Sequence, residues 1–442
     1  MGTDYWSLVT FETLPLTAAL APTHRRTGDD GVLNTRFTGT ATPDHPATIG
    51  GTFENANAFE NNFDLRSISL LGRDPSAWPG GRPHDAGYTV RDELVLAPTG
   101  NHDLASAEPG WEMANDGRWR LVPDPEDPEL PERRWLSAGE SFAFEYALLG
   151  RADGEGFPRD RYEFEGEGSV VVAVWETDEP GPRGDSRFAG ADPPPLPNAD
   201  GVAWYHDAGP GSPTYVEPSV ERLDLPARVD LTFVNHGTDT LSGNPHFWNL
   251  WKLVDGRWFR IAPDRWFQPM VKLPPGGTKE YSLAAFEGHA IECGGSNAVG
   301  YLGGGRYAYE VGFHRDGRTH AVLLEVDAPP ASVEPTDGLD VAREGSTVRV
   351  EWPRRVDDLP RATLTLTRAD GADPETRFIP EQVMRDRNRA LRNTLAFVTE
   401  ADRIVLVTDR NTVQDGARTR SYRDGSFRFG YRDAVYEATA AF

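Results

Sequence analysis

His289, Cys293, His314 and His320 lie close together in the sequence. A His-x-x-x-Cys pair followed by two histidines could supply the nitrogen and sulfur ligands of a Zn²⁺ ion. Their spacing matches no established zinc pattern, and a lone cysteine behaves more often as a small buried apolar side chain. No metal ligand is therefore assigned. Cys293 as a nucleophile would need a base held beside it, and the sequence supplies none at a fixed offset. The run from Gly294-Gly295 to Gly303-Gly304-Gly305 invites comparison with a phosphate-binding loop. It lacks a Gly-Lys-Ser/Thr ending and leads into no helix, so a flexible loop between two strands is expected instead. The segment Asp124 to Glu129 could hold Ca²⁺, although any strongly acidic chain offers such loops. Neither Gly-x-Ser-x-Gly nor His-Glu-x-x-His occurs. No catalytic residue and no cofactor is assigned.

The most suggestive cluster is aromatic. Phe247, Trp248, Trp251, Trp258, Phe259, Trp266 and Phe267 crowd one stretch. Exposed rings in a row could form a platform for sugar rings or for a partner protein. The same residues on alternate positions of a strand would simply fill a core. Trp248 and Trp266, expected near strand ends, and Phe267 are the surface candidates, whereas Trp258 is expected to be buried. A second charged feature, Arg385 to Arg392, could dock a neighbouring domain or acidic partner, or pair with carboxylates of the chain's own surface.

Such features must be placed by folded domains, and the chain is long enough for several. Its 442 residues carry 45 Lys+Arg and 69 Asp+Glu, a net charge of −24, with 38% hydrophobic and 10% aromatic residues. That content supports globular cores. The acidic balance argues against nucleic acid as a partner, because such binding rests on cations that neutralise phosphates. Only Lys252, Lys272 and Lys279 are lysines; the other cations are arginine. This profile resembles haloarchaeal proteins. In molar salt the Debye length falls to about 3 Å and dense surface carboxylates repel each other little. No stretch approaches the length of a transmembrane helix, and no convincing secretory segment is present. These features point to a cytoplasmic chain without membrane insertion, or to a cell-surface one if a signal has been removed.

An internal repeat organises the first three quarters. Pro46 to Asn55 matches Pro226 to Asn235, each ending in Thr-Phe-x-Asn. Asp116-Gly117-Arg118-Trp119 recurs as Asp255-Gly256-Arg257-Trp258. Leu136-Ser137-Ala138-Gly139 parallels Leu273-Pro274-Pro275-Gly276, and Arg161-Tyr162-Glu163-Phe164 parallels Arg306-Tyr307-Ala308-Tyr309. The expected division is a β-sandwich over 1–180 with a long insertion near 58–107, and a Pro/Gly/Asp spacer over 181–200. A second sandwich covers 201–327, and an α+β unit covers 338–442 with a helix near 380–398.

Asp-Gly between two apolar runs is the strongest short hairpin signal, because a type I′ turn needs positive φ at both central residues. A two-residue loop at Asp255-Gly256 sets Val254 opposite Arg257, Leu253 opposite Trp258 and Trp251 opposite Arg260. The same register in the first copy sets Ala114 opposite Trp119. Trp119 and Trp258 are then expected as equivalent anchors of a packed inner face.

The Thr-Phe-x-Asn strand, Asp-Gly-x-Trp hairpin, Leu-x-x-Gly turn and late tyrosine strand resemble the bacterial Ig-like domains, most closely in the second copy. That resemblance implies tandem Ig-like β-sandwiches acting as binding or spacer modules, with no catalytic residues. The expected fold class is mainly β, two such sandwiches followed by a small β-rich unit with one helix. The expected function is a non-enzymatic binding or structural protein of a halophile, with a protein or glycan partner. The alternatives are a carbohydrate-active or other hydrolytic protein, with its site in the C-terminal unit or the first-repeat insertion, and an assembly or coat subunit. The sequence assigns no oligomeric state.

Overall fold

The structure, a computed structural model, describes residues 5–71, 94–122, 130–150, 159–164, 166–197, 199–292, 294–352, 360–371, 374, 376–418 and 426–442. Cys293 and the acidic segment 124–129 lie outside these residues. The chain is mainly β, and its sheets fall into three groups.

In the first, a four-stranded sheet faces a seven-stranded one. Ala18, Leu20, Val172 and Val174 of the smaller sheet pack in one core with Phe53, Phe144 and Tyr146 of the larger. Part of the expected insertion is integral to this unit: Leu94–Pro98 runs antiparallel along Ser141–Gly150. In the second group, a seven-stranded sheet built on Leu241–Val254, Gly305–Arg315 and Arg318–Asp327 covers a four-stranded sheet. Between them Phe233 packs on Phe313, with ring centroids 5.1 Å apart.

The two sandwiches repeat one polar device. Asn55 and Asn235 each end the strand that follows the Pro-Ala motif, and both are fully buried. The Asn55 Nδ2 donates to the carbonyls of Phe59, Leu136 and Ser137 at 2.9, 2.9 and 3.1 Å. The Asn235 Nδ2 donates to Asp239, Leu273 and Pro274 at 3.0, 3.1 and 3.0 Å. The main-chain carbonyl of each asparagine accepts the N–H of the turn glycine, Gly139 at 2.9 Å and Gly276 at 2.7 Å. Those glycines have φ of 72° and 69°, a conformation costly to a residue with Cβ. The Thr-Phe-x-Asn and Leu-x-x-Gly motifs are thus two halves of one clasp.

The second hairpin has the expected register, Leu253 opposite Trp258 and Trp251 opposite Arg260. Asp255 and Gly256 both have positive φ, 49° and 73°. The first hairpin does not. Met113, not Ala114, faces Trp119. Ala114 N–H bonds Arg118 O at 2.8 Å, and only Gly117 of that turn has positive φ. Its loop therefore holds three residues, which shifts the pairing by one.

The C-terminal unit is a seven-stranded mixed sheet carrying short helices. Its strands include Thr347–Glu351, Arg361–Ala369, Arg403–Asp409, Ser426–Tyr431 and Ala434–Ala441. The single expected helix over 380–398 is not continuous: Pro380–Val383 and Arg389–Leu395 are separate, with Asp386–Asn388 a 3₁₀ turn between them. Arg385 is extended, with ψ 145°. Asn388, buried, donates its Nδ2 to Gln382 O at 2.7 Å, taking a carbonyl that a continuous helix would use. A further helix, Arg410–Arg418, follows strand Arg403–Asp409.

Candidate functional site

Where the sequence places its aromatic cluster, the structure opens a cleft of about 830 Å³. Strands Ala227–Asn235 and Thr278–Ala285 form one wall, and the segment after Ile261 forms the other. Trp248, Trp266 and Phe267 all line it, with Arg228, Arg265 and Lys279 as cations and Asp230 and Glu280 as acids. Phe267 is 82% exposed. Trp266 is half-buried, edge-on to Phe247 at 4.7 Å between centroids, with the Arg260 guanidinium 5.6 Å from its ring centre. Those contacts fix the ring at the rim without covering it.

Trp248 departs from expectation. It is buried, stacked on Tyr309 with centroids 5.5 Å apart and planes 6° apart. The reason is strand length: Leu241–Val254 runs 14 residues, so Trp248 lies within the strand and faces the core with Leu250. Only its residual surface belongs to the cleft. Trp258 is buried, but on the outer face of its sheet, opposite Phe259 and Ile261. There it stacks on Trp204 at 6.3 Å and donates Nε1–H to Pro194 O at 2.7 Å. The proline-rich segment expected as a solvated spacer is the cover of that face: Phe188 and Leu196 are buried against Trp204, Trp251 and Trp258. Trp119 is half-buried and donates to Thr42 O at 3.0 Å.

Asp230 is held below the usual carboxylate range by the Ser282 hydroxyl and by Arg228, whose Nε lies 2.9 Å from Oδ1. A carboxylate so held stays ionised and accepts hydrogen bonds; it is a poor proton donor. Lys279 sits 5.3 Å from the centre of the Tyr281 ring.

The histidines do not gather. His320 is buried between Phe313 O at 3.0 Å and Thr214 Oγ1 at 3.1 Å. The carbonyl can only accept, so Nδ1 carries the proton and Nε2 accepts from the threonine. His289 and His314 are exposed. Among the described residues no group of three or more His, Cys, Asp and Glu is placed to hold a metal.

The glycine-rich run is a seam, not a loose loop. Gly304 N–H bonds Pro329 O at 3.0 Å, and a Cβ on Gly303 would lie 2.2 Å from Ala331 N. Beside it Lys252 pairs with Glu381 of the C-terminal unit, both buried. Gly303 O accepts from Lys252 Nζ at 3.3 Å and from Tyr307 OH at 2.6 Å. Arg385 donates to Gly300 O and, at 2.9 Å, to Glu381 O. Burial pulls its guanidinium below the usual arginine range. Arg387 pairs with Asp264 at 3.0 Å, whereas Arg389 pairs with its own neighbour Asp386 at 2.8 Å. Arg385 and Arg387 therefore dock the C-terminal unit on the second sandwich. No sequence pattern flagged Lys252 and Glu381; the one signal was a lysine in a lysine-poor chain within an apolar strand.

Comparisons with protein families and with curated proteins find no match. Among solved structures the chain is similar to the alkylpurine DNA glycosylase AlkC of Pseudomonas fluorescens, at 10% identity over 26% of this chain and 31% of that one, TM-score 0.16. A β-glucosidase of Listeria innocua matches at 14% identity over 26% of this chain and 16% of its own, TM-score 0.16. The α-2-macroglobulin of E. coli matches at 8% identity over 80% and 18%, TM-score 0.15. The chain thus spans under a third of each of these structures.

Proposed function

We propose that the chain is a non-enzymatic binding protein whose second sandwich holds a glycan in the aromatic cleft. One observation carries this reading: Trp266 and Phe267 stand at the mouth of the same roughly 830 Å³ space, beside cations, an ionised Asp230 and Asn297. Sugar rings offer flat C–H faces to aromatic side chains and hydroxyls to charged and amide groups. The acidic balance of the chain fits a halophilic setting, in which salt screens those charges. A test is titration of the full chain, in about 2 M salt, with a panel of neutral and acidic oligosaccharides, read by intrinsic fluorescence. At least one should bind, and Trp266→Ala with Phe267→Ala should weaken it by at least about tenfold, the equivalent of about 1.4 kcal/mol. A panel without a binder, or affinity indifferent to both substitutions, ends the reading.

A further inference from the structure

A second cleft, of about 560 Å³, lies where the two sandwiches meet. The junction that frames it is tightly built. Trp175 of the first sandwich stacks on His236 of the second, centroids 5.1 Å apart and planes 3° apart. His236 donates Nδ1–H to Pro180 O at 2.6 Å. Gly276 fits against Ala173, Trp175 and Ala19, where a Cβ would come within 2.5 Å of the Ala173 Cβ. Trp6 donates Nε1–H across the boundary to Thr240 Oγ1 at 2.8 Å. The cleft is therefore held open by contacts beside it, without a side chain to fill it.

Its chemistry differs from that of the molecule around it. Its apolar lining is the half-buried Ala21, Pro22, Val171 and Pro274 together with Tyr5 and Trp6, while Ala19 and Ala173 lie buried beneath against Gly276. The charged residues lining it are Arg25, Arg161 and Lys272; among the described residues no Asp or Glu lines it. In a chain with 69 acids and 45 bases, a concavity whose charged lining residues are all cations stands apart from the average composition. Arg161 is engaged by Glu163 at 3.0 Å. Neither Arg25 nor Lys272 has an ion pair among the described residues, and both are exposed. Clefts between domains that combine apolar walls with a few charged groups are preferred ligand sites.

We infer that this junction cleft binds an aromatic carboxylate, its ring on Ala21 and Val171 against Trp6 and Tyr5 and its anionic head toward Lys272 and Arg25. The site is independent of the glycan cleft.

The experiment uses the full chain and 2-naphthoate as the probe, followed by calorimetry in about 2 M salt. Saturable binding with Kd at or below about 1 mM is expected. Replacing the carboxylate by the neutral amide, 2-naphthamide, should weaken binding about tenfold or more, because a charge-assisted contact is lost. Lys272→Ala and Arg25→Ala, at exposed positions, should each lower affinity several-fold, and Trp266→Ala in the other cleft should leave it unchanged. Absence of binding up to about 10 mM, equal affinity for the amide, indifference to both cation substitutions, or loss with Trp266→Ala would each overturn the proposal.

Discussion

Lys252 and Glu381 form a buried ion pair between the second sandwich and the C-terminal unit, and the other groups that reach the paired atoms are Gly303 and Tyr307, neither charged. Arg385 bonds the main-chain carbonyl of Glu381 rather than its carboxylate. Each partner is thus the other's main compensation for lost hydration. Removing one alone, Lys252→Met or Glu381→Leu, should cost about 3–5 kcal/mol. Removing both should recover most of that loss, since the pair's attraction offsets its desolvation rather than exceeding it. Thermal and urea unfolding of the two single variants and the double variant would show this. Additive losses in the double variant would count against it.

The asparagine clasp predicts a matched response in the two sandwiches. Asn55→Ala and Asn235→Ala should each destabilise by about 1–3 kcal/mol, because at each site one buried carbonyl, Leu136 O or Leu273 O, and two part-buried ones lose a donor. Asp at either position should do no better, since a carboxylate cannot donate. Denaturation midpoints would decide it; a loss at one site only would break the equivalence.

Two glycines with similar φ make a controlled comparison. Gly256 has open space where a Cβ would go, whereas Gly276 faces Ala173 and Trp175 across the junction. Gly256→Ala should cost about 1–2 kcal/mol, the left-handed backbone penalty alone. Gly276→Ala should cost clearly more, and should alter the fluorescence of Trp175 where it stacks on His236. Equal losses, with Trp175 unaffected, would show that the junction is looser than its geometry.

Acid should weaken the fold earlier than carboxylate protonation alone requires. Burial pushes both His102 and His320 down to about 4 from the ordinary value of 6.5. His102 accepts from Leu104 N–H at Nδ1, 3.2 Å, and faces Tyr146 OH at 3.0 Å through Nε2. A histidine whose folded pKa is depressed lends its stability above pH 6.5 and surrenders it as pH falls toward 4. The slope approaches about 1.4 kcal/mol per pH unit for each ring. Urea midpoints between about pH 7 and about pH 4.5 should fall, and His320→Gln should flatten the curve. A midpoint level across that window would exclude this account.

The charge balance predicts a salt requirement. With a net charge of −24, the melting temperature should drop as salt is reduced from about 2 M to about 0.05 M, because screening of self-repulsion is withdrawn. Circular dichroism during desalting reads this directly; an unchanged melt would remove the halophilic reading.

The elements that sequence reasoning reached were those governed by local rules. Asp255-Gly256 fixes its hairpin register through backbone conformation alone. The first hairpin failed on a single residue, because Asp116-Gly117 can serve a two- or a three-residue loop. Trp248 was misplaced because the long strand's two irregularities hide its course. Phe267 was correctly set at the surface, but nothing local says that it meets Lys279 and Asp230 in one cleft. The break at Arg385 goes with the Asn388 side chain taking the Gln382 carbonyl, and apolar periodicity does not encode that bond.

The segment between the sandwiches has a practical meaning for anyone dividing this molecule. A fragment starting at residue 201 would leave Trp204, Trp251 and Trp258 without Phe188, Leu196 and the Pro194 carbonyl that cover them. Its outer face would become a sticky aromatic patch, and its solubility would say little about the parent. Any fragment carrying the second sandwich has to begin before Ser186, whose hydroxyl bonds Glu221, so here a proline-rich stretch behaves as part of the body it adjoins.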